Sequence, residues 1–232
     1  MEPADAVAEA AARAEGVESV RYRVAGELPE TGRVEADAVM RAEPAAVSME
    51  VSSGGKSAVP VRFVDDVLYV GKAADGEEWL SADAGVWGGL TVDNNSYGAL
   101  PRQLESSPLV QSTLLTGAKD VREVGSETVD GTRTTHYRGT VTFEGLRAAG
   151  KAARGEADRE RLTASLDQFV GLRVSDSLTM DLWIDGDDHA KRFRWQARSD
   201  GGPLDLTITF LDIDRPVTIE APPADAQEEL GS

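Results

Sequence analysis

The sequence offers two histidines and no cysteine from which to build acid–base, nucleophilic or metal chemistry. His136 falls on a predicted strand beside Tyr137, on the side opposite the apolar row. Nothing around it is spaced as a catalytic triad, so it reads as a strand residue, exposed or locally satisfied. His189 follows Asp185, Asp187 and Asp188, a cluster that invites comparison with a cation loop. It fails the EF-hand pattern, because Ala190 stands where the sharp-turn glycine belongs and Gln196 where the bidentate Glu belongs. A hairpin turn rich in Asp and Gly accounts for it.

Other fragments of motif fail in the same way. Gly54-Gly55-Lys56-Ser57 has the ending of a phosphate-binding loop, but Glu50 occupies the position of its first glycine and no helical pattern follows. Neither a G-x-S-x-G elbow nor an H-E-x-x-H pair occurs. Among the 41 carboxylates, spacing singles out no pair for glycoside hydrolysis. Arg192, Arg194 and Arg198 alternate as the wet face of a strand, with contact to a lipid headgroup or membrane surface as a lesser role. Asn94-Asn95-Ser96 reads as a turn. The absence of cysteine excludes disulfides and thiolate metal sites from this sequence. The reading is of a protein that is not an enzyme and needs no cofactor or metal.

The formal charge of −17 argues against a nucleic-acid partner, since phosphate backbones are held by clustered Lys and Arg. The 232 residues suffice to bury a core without disulfides. No apolar run reaches the length of about 18 residues that a transmembrane helix needs. Residues 1–16 have neither the basic nor the apolar region of a signal peptide. The strong preference for Arg over Lys, with abundant Ala, Gly, Val and Asp, reads as GC-rich coding.

The pattern of elements begins with a helix over 5–15, where Val7, Ala10, Ala11 and Ala14 recur at helical spacing and Gly16 suits a left-handed cap. The period then switches to two, the mark of antiparallel strands with one wet face. Strands are expected over 20–24, 34–40, 47–51, 59–63 and 67–70. Short helices follow over 96–105 and 107–116, the second with Ser107 as N-cap, Pro108 at the first helical position and Gly117 at its end. Two strands over 121–129 and 132–142 are joined by Asp130-Gly131, a strong hairpin signal. Helical signals run over 143–171 with a break around 150–155. Leu178 to Ile184, Phe193 to Ala197 and Leu204 to Phe210 give the last strands. Residues 221–232 read as a disordered acidic tail, and residues 1–220 as one domain of the α+β class. Its expected architecture is a single large curved antiparallel sheet of roughly ten strands, a half-barrel, with helices over the concave face.

Three stretches in the last 95 or so residues carry a family resemblance. Asp130-Gly131-Thr132 leading to Thr135-His136-Tyr137-Arg138-Gly139 is similar to a turn and strand in actinobacterial lipoproteins. Leu182-Trp183-Ile184-Asp185 with Lys191-Arg192-Phe193-Arg194 resembles their W-I-D…R hairpin. Thr207 to Ile213, then Pro216-Val217-Thr218-Ile219-Glu220-Ala221-Pro222-Pro223, resembles their closing strand and loop. Taken in order, these pieces resemble the LolA-like lipoproteins of the LppX and LprG type, members of which bind acyl chains or lipidated molecules at the cell envelope. The chain departs from them in lacking the N-terminal acyl-accepting cysteine.

What the resemblance implies is a monomeric, extracytoplasmic domain held at the outer face of the cell membrane by an N-terminal lipid anchor that this sequence does not contain. It would bind a lipid, lipoglycan or other hydrophobic small molecule between sheet and helices. Leu100, Leu104, Leu109, Leu114, Leu115, Leu162, Leu166 and Phe169 are the expected lining from the helices. Val24, Met49, Phe63, Met180, Trp195 and Ile208 are the expected lining from the strands, each equally suited to plain core. A second reading keeps the same fold with a filled interior, as a surface protein-interaction or signalling-accessory domain.

Overall fold

The computed structural model describes residues 2–29, 32–72, 77–83, 108–152, 177–199 and 201–229, with Glu156, Arg159, Leu162, Thr163 and Leu166. The strands are β1 (Ser19–Leu28), β2 (Gly32–Arg41), β3 (Ala46–Ser53), β4 (Val59–Val64), β5 (Val67–Gly71), β6 (Trp79–Asp83), β7 (Arg122–Val129), β8 (Thr132–Thr142), β9 (Ser177–Asp185), β10 (Ala190–Ser199), β11 (Gly202–Ile213) and β12 (Gln227–Glu229). They belong to one twelve-stranded sheet in the order β12-β6-β5-β4-β3-β2-β1-β11-β10-β9-β8-β7. Helix α1 spans Pro3–Glu15, α2 Pro108–Gln111 and α3 Phe143–Ala152, and a 3-10 helix continues α2 over Ser112–Gly117. The α+β reading with one large sheet holds, with twelve strands in place of roughly ten and a single correction of sense: β12 runs parallel to β6.

Two further differences have local causes. Gly16 closes α1 with φ −87°, in the right-handed region, and its N–H reaches back to the carbonyl of Arg13. Residues 221–229, where composition suggests a disordered tail, form a 3-10 turn (Ala224–Ala226) and β12. Their acidic side chains hide a specific attachment: Lys72 Nζ donates to Glu228 Oε2 at 2.5 Å, and Gln227 Nε2 donates to the carbonyl of Pro222 at 2.7 Å. The expected helix at 96–105 lies outside the described residues. Helix α3 runs through Gly150 to Ala152, the first part of the expected break, and residues 153–155 lie outside the described residues.

The contacts group into two compact units, Met1–Val17 with Ser106–Phe210, and Glu18–Glu105 with Leu211–Ser232. In the second unit, alternation and register agree. Val24, Ala36 and Val51 stand opposite one another across β1, β2 and β3, and Ala38, Met49 and Val61 do so across β2, β3 and β4. That apolar face is buried, while Arg23, Asp37 and Glu50 alternate with it. The reverse face is covered near β3–β6 by the C-terminal segment. Ala46, Val64, Tyr69, Trp79 and Ile219 form a core there, with Val217 and Ala226 packed against it. Arg62 lies 5.0 Å over the Trp79 ring and donates to the carbonyl of Glu220 at 3.0 Å. The Asp65-Asp66 turn between β4 and β5 has φ of 52° and 63°, the left-handed pair that a two-residue hairpin loop requires.

The first unit holds β7 to β10, β11 as far as Phe210, and the helices. The β7–β8 turn uses Asp130 and Gly131 at φ 44° and 78°, as the sequence signal predicts. Helix α3 is capped by Thr142, whose Oγ1 accepts the N–H of Gly145 at 2.9 Å. Among the described residues no helix is long and apolar enough to cross a membrane.

Candidate hydrophobic-ligand layer and the polar face behind it

The strands of the first unit carry two chemically opposite faces. Because side chains alternate, the register sorts them into cross-strand rows. One row runs Gly139, Met180, Trp195, Leu206 across β8 to β11, and the next runs Tyr137, Leu182, Phe193, Ile208. Met180, Trp195, Leu206, Leu182 and Phe193 are all at most 1% exposed. The aromatic rings pack obliquely, with Phe193 5.3 Å from Trp195 and 5.9 Å from Phe210 between centroids.

Helices cover this face. The 3-10 helix touches β8, β9 and β10, and α1 touches both it and β10. The approach is close because glycine lets it be. A Cβ on Gly139 would stand 3.0 Å from Leu115 Cδ1 and 3.1 Å from Ala118 Cβ. A Cβ on Gly117 would stand 2.3 Å from Leu146 Cδ2 and 3.1 Å from its Cα, so the seam between the 3-10 helix and α3 also needs a bare backbone. Leu114 and Leu115 are wholly enclosed in consequence.

The layer holds polar atoms as well, among them the Tyr137 hydroxyl and the indole N–H of Trp195. Trp195 Nε1 is buried and has no hydrogen-bond partner among the described residues. Leaving a buried donor unpaired costs about 1–3 kcal/mol.

No family model matches the chain. Across 182 residues it is 29% identical to a 31.2 kDa protein encoded in the rplA–rplJ intergenic region of Streptomyces griseus, covering 74% of this chain and 56% of that one. It is 25% identical to a predicted lipoprotein of Streptomyces coelicolor over 182 residues, covering 73% and 50%. The chain thus spans about half the length of the curated relatives it matches. Among solved structures, lipoprotein LppX of Mycobacterium tuberculosis superposes with a TM-score of 0.57 at 18% identity, covering 94% of this chain and 98% of LppX. LprF of Mycobacterium bovis superposes with a TM-score of 0.59 at 14% identity, covering 95% and 96%.

The chain has the LppX/LprF-like lipoprotein fold.

Within this LppX/LprF-like fold the expected lining residues fall into three groups. Leu109, Leu114, Leu115, Leu162, Met180, Trp195 and Ile208 are buried in the first unit, and Leu166 is half-buried. Val24 and Met49 are buried and Phe63 half-buried on the apolar face of the second unit. Leu100, Leu104 and Phe169 lie outside the described residues.

The other face of β8–β11 in the LppX/LprF-like sheet is polar, and nearly as enclosed. Its rows run His136, Trp183, Arg192, Thr209 and Arg138, Asp181, Arg194, Thr207. His136 Nε2 is 2.5 Å from Asp181 Oδ1 and its Nδ1 is 3.1 Å from Glu127 Oε1. Both ring nitrogens thus face a carboxylate oxygen. The imidazole stacks on Trp183 at 4.2 Å and 13°, and Trp183 Nε1 donates to Glu127 Oε2 at 3.0 Å. Arg192 lies 5.7 Å over the other side of the indole. Asp181 also accepts from Arg138 Nε at 2.6 Å, while its Oδ2 has no partner among the described residues. Arg194 donates two bonds to Asp205, at 2.7 and 2.6 Å, and these hold the Asp205 carboxyl below the usual carboxylate range.

Sequence reasoning placed His136 on the face opposite the apolar row, as a strand residue exposed or locally satisfied, and missed its burial between two acids. The wet-face reading of the arginine row needs a correction. Arg198 is exposed, whereas Arg192 and Arg194 are half-buried by ring and carboxylate partners. The network joins residues up to 56 positions apart, Glu127 to Trp183, and strand register alone brings them together. At the Asp185 turn, Oδ1 accepts the backbone N–H groups of Asp187 and His189, both at 3.0 Å, which is turn chemistry.

Proposed function

We propose that this domain binds a hydrophobic ligand, an acyl chain, lipid or lipoglycan, between sheet and helices, and carries or presents it as a non-catalytic cell-envelope lipoprotein. The observation that carries the reading is the continuous apolar face of β8–β11 beneath α1 and the 3-10 helix, in a fold shared with lipoprotein LppX. The family resemblance gives that face its use, and the Streptomyces coelicolor relative supports attachment to the outer face of the membrane through an upstream lipid anchor.

Physical chemistry sets a lower bound on the ligand. Burying an alkyl chain yields about 0.8 kcal/mol per CH₂, against an association cost of about 4–15 kcal/mol. Long chains, on the order of twelve carbons or more, are therefore the fitting class. A net charge of −17 disfavours anionic headgroups left exposed at the protein surface.

A filled interior serving surface protein interaction is the second reading. The tight seams at Gly117 and Gly139 favour it locally. Native mass spectrometry of protein purified from a lipid-containing host separates the two. Co-purified lipid in the mass range of acylated species supports carriage. Ligand-free protein that also fails to take up a fluorescent fatty acid supports the filled interior.

A further inference from the structure

We infer that the indole N–H of Trp195 is the polar recognition point of the ligand layer, donating to a carbonyl oxygen attached to the bound alkyl chain. The inference rests on the hydrophobic-ligand reading and names the atom that would hold the carbonyl of an acyl ester, amide or acid in that layer.

The case begins with a contrast between two tryptophans on adjacent strands. Trp183, on the polar face, has its Nε1–H met by Glu127 Oε2 at 3.0 Å. Trp195 points to the opposite face, is 1% exposed, and has no acceptor for its Nε1–H among the described residues. A buried indole N–H ordinarily finds a partner. Its row neighbours Met180 and Leu206 and its packing neighbour Phe193 have no oxygen in their side chains. The strand carbonyls around it are committed to the ladders of β9 and β11.

Position supports the same conclusion. Trp195 lies in the row that begins at Gly139, where Leu115 of the 3-10 helix descends onto the sheet, and β10 is also touched by α1. An unmet donor set in such a layer rewards an oxygen on an otherwise oily guest. Phe193 and Phe210 fill comparable places without a donor.

The test compares the delipidated full chain with its Trp195→Phe variant, using methyl palmitate and hexadecane to displace a fluorescent naphthylamine probe that has no carbonyl. Wild type is expected to prefer the ester by about tenfold, which corresponds to about 1.4 kcal/mol. Trp195→Phe is expected to lose that preference, the readout being the ratio of the two affinities within each protein, which a change of volume common to both probes does not move. Equal ester preference in both proteins overturns the assignment and leaves the hydrophobic-ligand reading standing. Failure of wild type to bind either probe overturns both. If Trp195→Phe does not fold, the wild-type indole N–H resonance decides. It should move downfield with methyl palmitate and stay with hexadecane. A resonance indifferent to the ester marks a donor satisfied by trapped water and overturns the inference.

Discussion

His136 and Asp181, 45 positions apart in the chain, meet across β8 and β9 at 2.5 Å with side chains 6% and 1% exposed. Asp181 also holds Arg138, so a single carboxylate answers two side chains on the polar face of these strands. Removing it should be expensive, because it strands a buried donor and a half-buried one. Asp181→Ala is expected to lower the unfolding free energy by on the order of 3 kcal/mol. Urea denaturation measures this. The double variant His136→Phe/Asp181→Leu should recover a good part of the loss, since it removes both buried polar groups together.

The seam between the 3-10 helix and the sheet predicts a sharp difference between two glycines. Gly139→Ala forces Leu115 and Ala118 aside and should cost about 1–3 kcal/mol. Gly186→Ala meets nothing within 4 Å and should be near neutral. Thermal unfolding of both variants checks the contrast, and equal shifts would mean that the helix does not sit where it is described.

Alkaline titration tests the burial of the second unit's apolar face. Tyr22 is buried there, and desolvation raises its phenol well above the ordinary range. Burial is also the first cause of the upward shifts of Tyr69 and Tyr137. A phenol raised on folding contributes stability that is fully present below the unfolded value near 10 and is lost as pH rises through the folded value. Ultraviolet difference absorbance should show Tyr22 ionising last, together with unfolding. Ionisation of all tyrosines at the ordinary value in folded protein would contradict the placement.

The C-terminal cover makes a further prediction. Ile219 is buried against Trp79 and Tyr69, so Ile219→Ala should cost about 2–4 kcal/mol and expose Trp79 to solvent. Denaturant unfolding gives the first and tryptophan quenching the second. An unchanged stability would show that residues 217–229 are not docked on this face.

These relationships differ in how far the sequence announces them. Strict alternation over Val34 to Met40 or Leu178 to Ile184 states both strand and face, because a two-residue period has only one burial solution. The Asp130-Gly131 turn is equally explicit, since few residues tolerate positive φ. By contrast, β12 has three polar residues and no period, and its place depends on Lys72 and Trp79 far away in sequence. The polar network is similarly silent. His136, Asp181, Trp183 and Arg192 each look like ordinary outward residues until register aligns them. Within the apolar layer of β8–β11 the inward side of Trp195 is legible from alternation. The lack of a partner for its N–H is a property of the packed structure alone.

The central claim is that an oily guest enters the helix-covered layer of β8–β11, and methyl-resolved NMR of the delipidated chain titrated with palmitate addresses it most directly. Shifts concentrated at Met180, Leu206, Leu114 and Leu115, with contacts from the alkyl protons to those methyls, are the predicted result. Saturating palmitate that leaves those methyls unmoved would contradict the account.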